Sequence, residues 1–349
     1  MIHIDGSLGE GGGQVLRSSL TLSILTGKAL HMNNIRARRS KPGLGHQHLN
    51  AVQAAAAVSK ARVEGDRLGS QTLTFHPGEI QSGRYSFDIG TAGSTSLVLQ
   101  TIFLPLSRAG SATTVVITGG THVPWSPSFH YLALHWMEFM RRCGFEALLD
   151  LDQAGFYPRG GGKIQATLRP ADTILPLRIK ARGELKRIQG ISMVSNLDWE
   201  IASRQKRQAR QRISEWGQDF DRLVKIKNLQ APSPGKGTML LLLAEFEHGQ
   251  CCYFGLGEKG KPAERVADEA VDALQAFLQS GAAIDQYLAD QLLLPLALAE
   301  QASELHTSQV TQHLATNAEV LRAFVDVKIE IQGEMGQPGW VRIWPSGSI

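Results

Sequence analysis

Gly9-Glu10-Gly11-Gly12-Gly13-Gln14-Val15-Leu16-Arg17 sits between the apolar residues Ile2–Ile4 and a run in which Leu16, Leu20 and Ile24 recur at helical spacing. The stretch therefore reads as a turn from a strand into a helix, Gln14–Leu25. Glycines let a backbone approach a phosphate, a helix start offers unpaired N–H groups, and Arg17 lies about one turn inside. A tight turn is the other reading of the same residues, although three consecutive glycines cost backbone entropy that a plain turn does not require. A carboxylate inside a phosphate loop makes sense as a cation ligand, which marks Glu10.

Outward from that loop the chain recurs three times in the order strand, helix, strand, helix, strand pair. The first unit continues with a strand over Leu30–Ala37, a helix within Gln47–Ala61 and two strands marked by the turns Glu64-Gly65-Asp66 and Pro77-Gly78. The second has strand Tyr85–Ile89, helix Ser94–Leu106, strand Thr113–Thr118, helix Ser128–Cys143 and strands Glu146–Leu151 and Lys163–Leu168. The third has helix Ala289–Gln301, strand Glu304–Ser308, helix Asn317–Phe324 and strands Val327–Ile331 and Trp340–Trp344; its opening strand is not visible in the sequence. Residues 183–280 follow a pattern of their own and read as an inserted α/β domain. The remainder, 1–182 with 281–349, reads as one domain of three repeats.

Composition bounds the function. The 349 residues carry 42% hydrophobic and 19% charged side chains, and the longest apolar runs, Met239–Ala244 and Leu292–Ala299, are far too short to span a bilayer. The opening residues lack the charged and apolar regions of a secretory signal, so a cytoplasmic protein without a membrane partner is expected. Cys143, Cys251 and Cys252 cannot all pair, and the adjacent two should face opposite sides of a strand as reduced thiols. A net charge of +4 and basic clusters at Arg36–Lys41 and Arg204–Arg212 suit a polyanionic partner, or simply form solvated faces. Gly255-Leu256-Gly257-Glu258-Lys259-Gly260 fits a dinucleotide fingerprint, but no parallel strand with an acidic ribose ligand follows its helix. Thr311-Gln312-His313-Leu314-Ala315-Thr316-Asn317-Ala318-Glu319 places a histidine just before a helix that a Thr316/Glu319 capping box would start. A neutral imidazole there is a capable nucleophile, or an ordinary hydrogen-bonded histidine.

Four blocks together resemble the RNA 3'-terminal phosphate cyclase family across nearly the whole chain. They are Asp5-Gly6 through Arg17; Ile35-Arg36-Ala37 with Lys41-Pro42-Gly43-Leu44 and Gln47-His48; Gly90 through Gly93-Ser94 to Thr101; and Tyr287-Leu288-Ala289-Asp290-Gln291 with Gln312-His313-Leu314 and Thr316-Asn317. The resemblance implies an α/β fold of three βαβαββ repeats about a pseudo-threefold axis, enolpyruvyl-transferase-like, with a smaller α/β insert. It implies that His313 takes AMP from ATP and passes it to an RNA 3'-phosphate, after which the 2'-OH closes a 2',3'-cyclic phosphate. By the same resemblance Arg17, Arg39 and Gln47 hold phosphates, Gln100 and Tyr287, Leu288, Ala289, Asp290 and Gln291 contact the nucleotide, and Glu10 binds a divalent metal, magnesium or manganese. His46 stands where some relatives carry a basic residue such as arginine. The resemblance leaves two rivals: a non-catalytic RNA-binding relative acting in ribosome assembly, and an enolpyruvyl-type transferase. Neither the oligomeric state nor the natural RNA follows from the sequence.

Overall fold

The computed structural model describes residues 1–345. The first unit runs β1 (Ile2–Asp5), α1 (Gly13–Thr26), β2 (Leu30–Asn33), α2 (His46–Ser59), β3 (Arg62–Glu64) and β4 (Leu73–His76). The second runs β5 (Arg84–Asp88), α3 (Thr95–Leu106), β6 (Thr113–Gly119), a helix formed by α4 (Phe129–Tyr131), a π turn (Leu132–Trp136) and α5 (Met137–Arg142), then β7 (Ala147–Gln153) and β8 (Gly162–Leu168). Each unit makes a four-stranded sheet, β1-β2-β4-β3 and β5-β6-β8-β7, in which the first pair is parallel and the other two pairs are antiparallel.

The third unit opens at β9 (Arg178–Ile179), two residues long. Residues 183–280 then intervene before α9 (Gln286–Ala297), β14 (Ser303–Thr307), α10 (Gln312–Phe324), β15 (Val327–Gln332) and β16 (Gly339–Pro345) close the sheet β9-β14-β16-β15. The parallel and antiparallel pairings repeat those of the first two sheets. The strand missing from the sequence reading is therefore β9, hidden because it is so short and is separated from its helix by the intervening segment.

That segment forms β10 (Leu185–Ser195), α6 (Trp199–Ser214), α7 (Gln218–Leu223), β11 (Val224–Gln230), β12 (Gly237–Phe246), β13 (Gln250–Leu256) and α8 (Ala263–Ser280), with sheet order β11-β10-β12-β13. The run Met239–Ala244 is uniformly apolar because both faces of its strand are covered. Met239, Leu241 and Leu243 join the core of the repeats, while Leu240, Leu242 and Ala244 join a second core under α6 and α8. Cys251 and Cys252 divide the same way, both buried and unpaired. The glycine fingerprint after β13 leads from an antiparallel pair into α8, not into a parallel crossover.

At the centre lie α1, α3 and α9, buried on nearly every side as apolar helices must be. Both α3 and α9 carry Leu-Pro-Leu in their last turn, at 104–106 and 294–296, a literal echo of the repeat. Polar groups on α1 are satisfied across the units: Ser18 Oγ donates to Asn317 Oδ1 at 2.6 Å and Thr21 Oγ1 to the Thr101 carbonyl at 2.7 Å.

Three elements correct the sequence reading. α9 runs Gln286–Ala297 instead of Ala289–Gln301, because Asp285 caps it three residues earlier. β2 stops at Asn33 instead of Ala37, because Asn34 and Arg36 take left-handed backbone and turn the chain toward the glycine loop. α10 starts at Gln312, not Asn317. Thr311 is its N-cap, accepting from Leu314 N at 3.1 Å, whereas the Thr316 hydroxyl donates back to the Gln312 carbonyl at 2.7 Å. His313 thus stands in the first turn of the helix.

Candidate active site

The glycine loop enters α1 through two left-handed glycines, Gly9 (φ 57°) and Gly11 (φ 58°). A Cβ at Gly9 would collide with the Thr316 hydroxyl, and one at Gly13 with His48 Nε2 and Arg17 Nη1. Glycine is therefore required by close approach, not merely by the turn. The N-cap of α1 is Gly12, and no side chain caps it; the N-cap of α2 is Gly45, equally uncapped. The two starts adjoin, Gly13 of α1 lying against His48 in the first turn of α2, so the open N–H groups and positive dipole ends of both helices are brought close together.

Basic side chains ring that place. Arg38 donates to the Gly9 carbonyl at 2.6 Å, and the Arg39 guanidinium lies against Gly12 and 3.8 Å from Glu10 Oε2. Burial lowers the Arg17 pKa to about 10, while the charge of Asp290 opposes the fall, so the guanidinium stays cationic at neutral pH. Burial, then the charges of Arg17, Arg36 and Arg39, push His48 down to about 3, and its Nδ1 is buried without a hydrogen-bond partner. His48 is thus a neutral polar group at a cationic anion cradle.

His313 joins the cradle from the third unit. Its Nδ1 is hydrogen-bonded to Gln14 Oε1, and its Nε2 lies 3.3 Å from Glu10 Oε2. Gln14 Oε1 can only accept, so the imidazole proton sits on Nδ1 and the Nε2 lone pair is left free. Burial lowers the His313 pKa, Glu10 pulls it up, and Arg17 and Arg39 push it down, so the ring is held toward the neutral form. Asp290 is raised to about 8 by burial, with Arg17 opposing and Asp285 adding to the rise.

The Nε2 lone pair and the Glu10 carboxylate repel at 3.3 Å unless a proton or a cation lies between them. Among the described residues no three His, Cys, Asp or Glu side chains gather as a metal cage. Glu10 alone can supply one oxygen ligand, a donor set that fits a magnesium or manganese ion completed by water and nucleotide phosphates.

The remaining expected site residues are spread along the edge of this cradle. Gln100 donates to Gln291 Oε1 at 3.0 Å, bridging α3 and α9. Gln47 accepts from Ser94 N at 2.8 Å, so its oxygen is committed to the start of α3 and only its NH2 remains to offer. Tyr287 is exposed, whereas Leu288 and Ala289 are buried completely in the core, so of that five-residue segment these two have only backbone to offer a ligand. His46 is exposed in the first turn of α2. Beneath Tyr287 lies a pair the sequence did not flag: Asp285, fully buried, caps α9 at Tyr287 N and Leu288 N and receives His135 Nε2 at 2.6 Å. Gln14 and His48 were also missed as site residues. Gln14 could have been found by its place one residue into the helix that follows the glycines.

A family model described as RNA 3'-terminal phosphate cyclase matches residues 8–331. The chain is 45% identical over 334 residues to the RNA 3'-terminal phosphate cyclase of Caldivirga maquilingensis, covering 95% of this chain and 94% of that one. The proteins of the same name from Methylococcus capsulatus and Methanopyrus kandleri are 42% and 40% identical, covering 98% and 99% of this chain and 96% and 99% of theirs. Among solved structures, the enolpyruvyl transferase NikO from Streptomyces tendae aligns with a TM-score of 0.38 and 9% identity over 99% of this chain, which spans 48% of NikO. At that score the fold assignment rests on the sheet orders above and not on this likeness.

Proposed function

The chain belongs to the RNA 3'-terminal phosphate cyclase family, and from that premise we propose that it activates an RNA 3'-phosphate with ATP through a covalent histidine–AMP. The observation that carries the reading is His313, oriented by Gln14 at the uncapped start of α1 amid Arg17, Arg39 and His48. The Nε2 lone pair attacks the α-phosphorus of ATP, the bond to the bridging oxygen breaks, and pyrophosphate leaves. An oxygen of the RNA 3'-phosphate then attacks the same phosphorus, the N–P bond breaks, and AMP passes to the RNA end as RNA(3')pp(5')A. Finally the neighbouring 2'-OH attacks the 3'-phosphorus, loses its proton and expels AMP, closing the 2',3'-cyclic phosphate. Activation makes the last step possible: an alcohol does not readily expel oxide from a phosphomonoester but can expel AMP, and the attack is already intramolecular.

In this reading Arg17 and Arg39 bind phosphate oxygens with charges that persist through every step, and Gln47 offers its amide NH2. Gln100, Tyr287, Asp290 and Gln291 contact the nucleotide by side chain, and Leu288 and Ala289 only shape the helix beneath it. Glu10 would hold a divalent ion, which when bound supplies neutralising charge to the phosphates. Residues 1–182 with 281–349 act as the catalytic domain and 183–280 as an inserted domain, supported by the separate second core. Three unpaired thiols support a cytoplasmic setting. No helix among the described residues is long and apolar enough to cross a membrane.

The test is transfer of label from α-³²P-ATP to the protein with a divalent metal and no RNA. Wild type should carry acid-labile label and His313→Ala none. Gln14→Ala should slow labelling by about tenfold or more while ATP still binds, because the ring loses its orienting partner. An unlabelled wild type that binds ATP would favour the non-catalytic RNA-binding rival.

A further inference from the structure

In the second unit, the loop after β6 occupies the place that the Arg36–Arg39 loop occupies after β2 in the first, at the C-terminal edge of the parallel strand pair. Its residue Trp125 is 100% exposed and has φ 62°. A bulky side chain at positive φ is a costly conformation, and Pro124 and Pro127 on either side stiffen the turn that holds it. A fully solvated indole on strained backbone adds nothing to folding.

The neighbouring features have one chemistry in common. Residues 121–122 are bonded to the Gly155 carbonyl, and His122 stacks on Phe156 at 5.3 Å. The second loop therefore runs beside the first and carries exposed Tyr157, 69% accessible, and exposed Arg159. Arg159 in turn packs against Gly235 in the proline loop that bears exposed Lys236. Asn196 pins that loop by donating to the Ser233 and Gly235 carbonyls at 2.7 and 2.9 Å. The rim is continuous with the site: Gly160 abuts Ala92, Gly93 abuts Gln47, and Gln47 stands beside His48 at the cradle.

Exposed aromatic rings interleaved with cations along a fixed rim are what a single strand of nucleic acid recognises, through base stacking and phosphate attraction. We propose, resting on the cyclase reading, that Trp125, Tyr157, Arg159 and Lys236 form a binding rim for the single-stranded RNA just upstream of the 3'-phosphate. Trp125 stacks a base, and the two cations follow the backbone. The rim explains why Trp125 stands where a turn would favour glycine.

The experiment uses the full-length protein with two unstructured substrates sharing one 3'-phosphorylated end, a dinucleotide and a dodecamer. Trp125→Gly relieves the strained backbone, so a folding failure is not expected. This variant and the pair Arg159→Ala with Lys236→Ala should raise KM for the dodecamer by about tenfold. The dinucleotide KM and RNA-free adenylylation should not change, and Trp125→Phe should retain most of the dodecamer affinity. Equal losses on both substrates, or no loss on either, would overturn the proposal. A second readout separates it from the cyclase reading: 2-aminopurine placed a few nucleotides from the RNA end should be quenched by wild type and not by Trp125→Gly. If wild type quenches but cyclises nothing, the rim stands and the reaction does not. If it cyclises but Trp125→Gly quenches equally, the rim falls alone.

Discussion

The three units share a sheet order but start their helices differently. α1 and α2 of the first unit begin at glycines, with no side chain capping either. In the second unit Ser94 caps α3 and Ser128 caps α4. In the third, Asp285 caps α9 and Thr311 caps α10. Four of six equivalent helix starts are thus closed by their own side chains, one of them with a carboxylate that repels anions, and both open starts lie in one unit. The repeat supplies the scaffold three times, and the absence of caps leaves the first unit as the one whose helix starts are open to an anion.

The most severe way to break this contrast is to close α1. Gly12→Asp would give it the cap that Asp285 gives α9, and Gly12 already has φ −96°, with only the far end of the half-exposed Arg39 side chain near a new Cβ. Thermal stability should hold or rise, while adenylylation should fall by at least about tenfold, because the carboxylate occupies the N–H groups and opposes the phosphates. Loss of stability together with activity would show that the open cap is structural.

Next in size is a pH effect at the cradle. The folded-state pKa of Asp290 is about 8, above its ordinary value of 3.8, so the folded protein binds the extra proton between those values. Its contribution to stability is full below about pH 4 and is lost as pH rises through 8, with a slope of at most about 1.4 kcal/mol per pH unit. Asp290→Asn should flatten the denaturant-midpoint profile across that window. An unchanged slope would mean that Asp290 is already ionised beside Arg17. The smallest effect is the reciprocal mutation: Ser94→Ala opens α3 and should cost about 1 kcal/mol by urea unfolding without creating a second nucleotide site.

Much of the architecture was legible because the units repeat their periodicity, and the glycine loop, His313 and Glu10 could be singled out from local pattern. The errors have physical causes. Thr316 and Glu319 match a capping box, but the hydroxyl is spent on the Gln312 carbonyl while Thr311 caps the helix, so two threonines competed and only tertiary structure chose. The strand expected through Ala37 ends at Asn33, because the sequence does not reveal where a non-glycine residue such as Asn34 will accept left-handed backbone. Gln14 and His48 stand in the quoted blocks without an assigned role, because that role depends on partners from other elements, 299 residues away in the case of Gln14. Leu288 and Ala289 enter the nucleotide segment by their place in a motif, and their side chains are buried in the core because two adjacent positions of α9 fall on its inward face.

Arg182 holds both ends of the segment that interrupts the third unit. Its guanidinium donates to the carbonyls of Phe277, Leu278 and Ala282 and lies over the rings of Phe246 and Phe277. Entry and exit of the segment are thereby held side by side, and β9 pairs in parallel with β14 on the far side of the interruption. The entropy of closing a long chain excursion is then met within the excursion itself, so the final sheet can zip without waiting on a distant encounter. The same clasp makes the segment a natural place for evolution to lengthen, exchange or circularly reconnect the chain while the three-part scaffold stays intact.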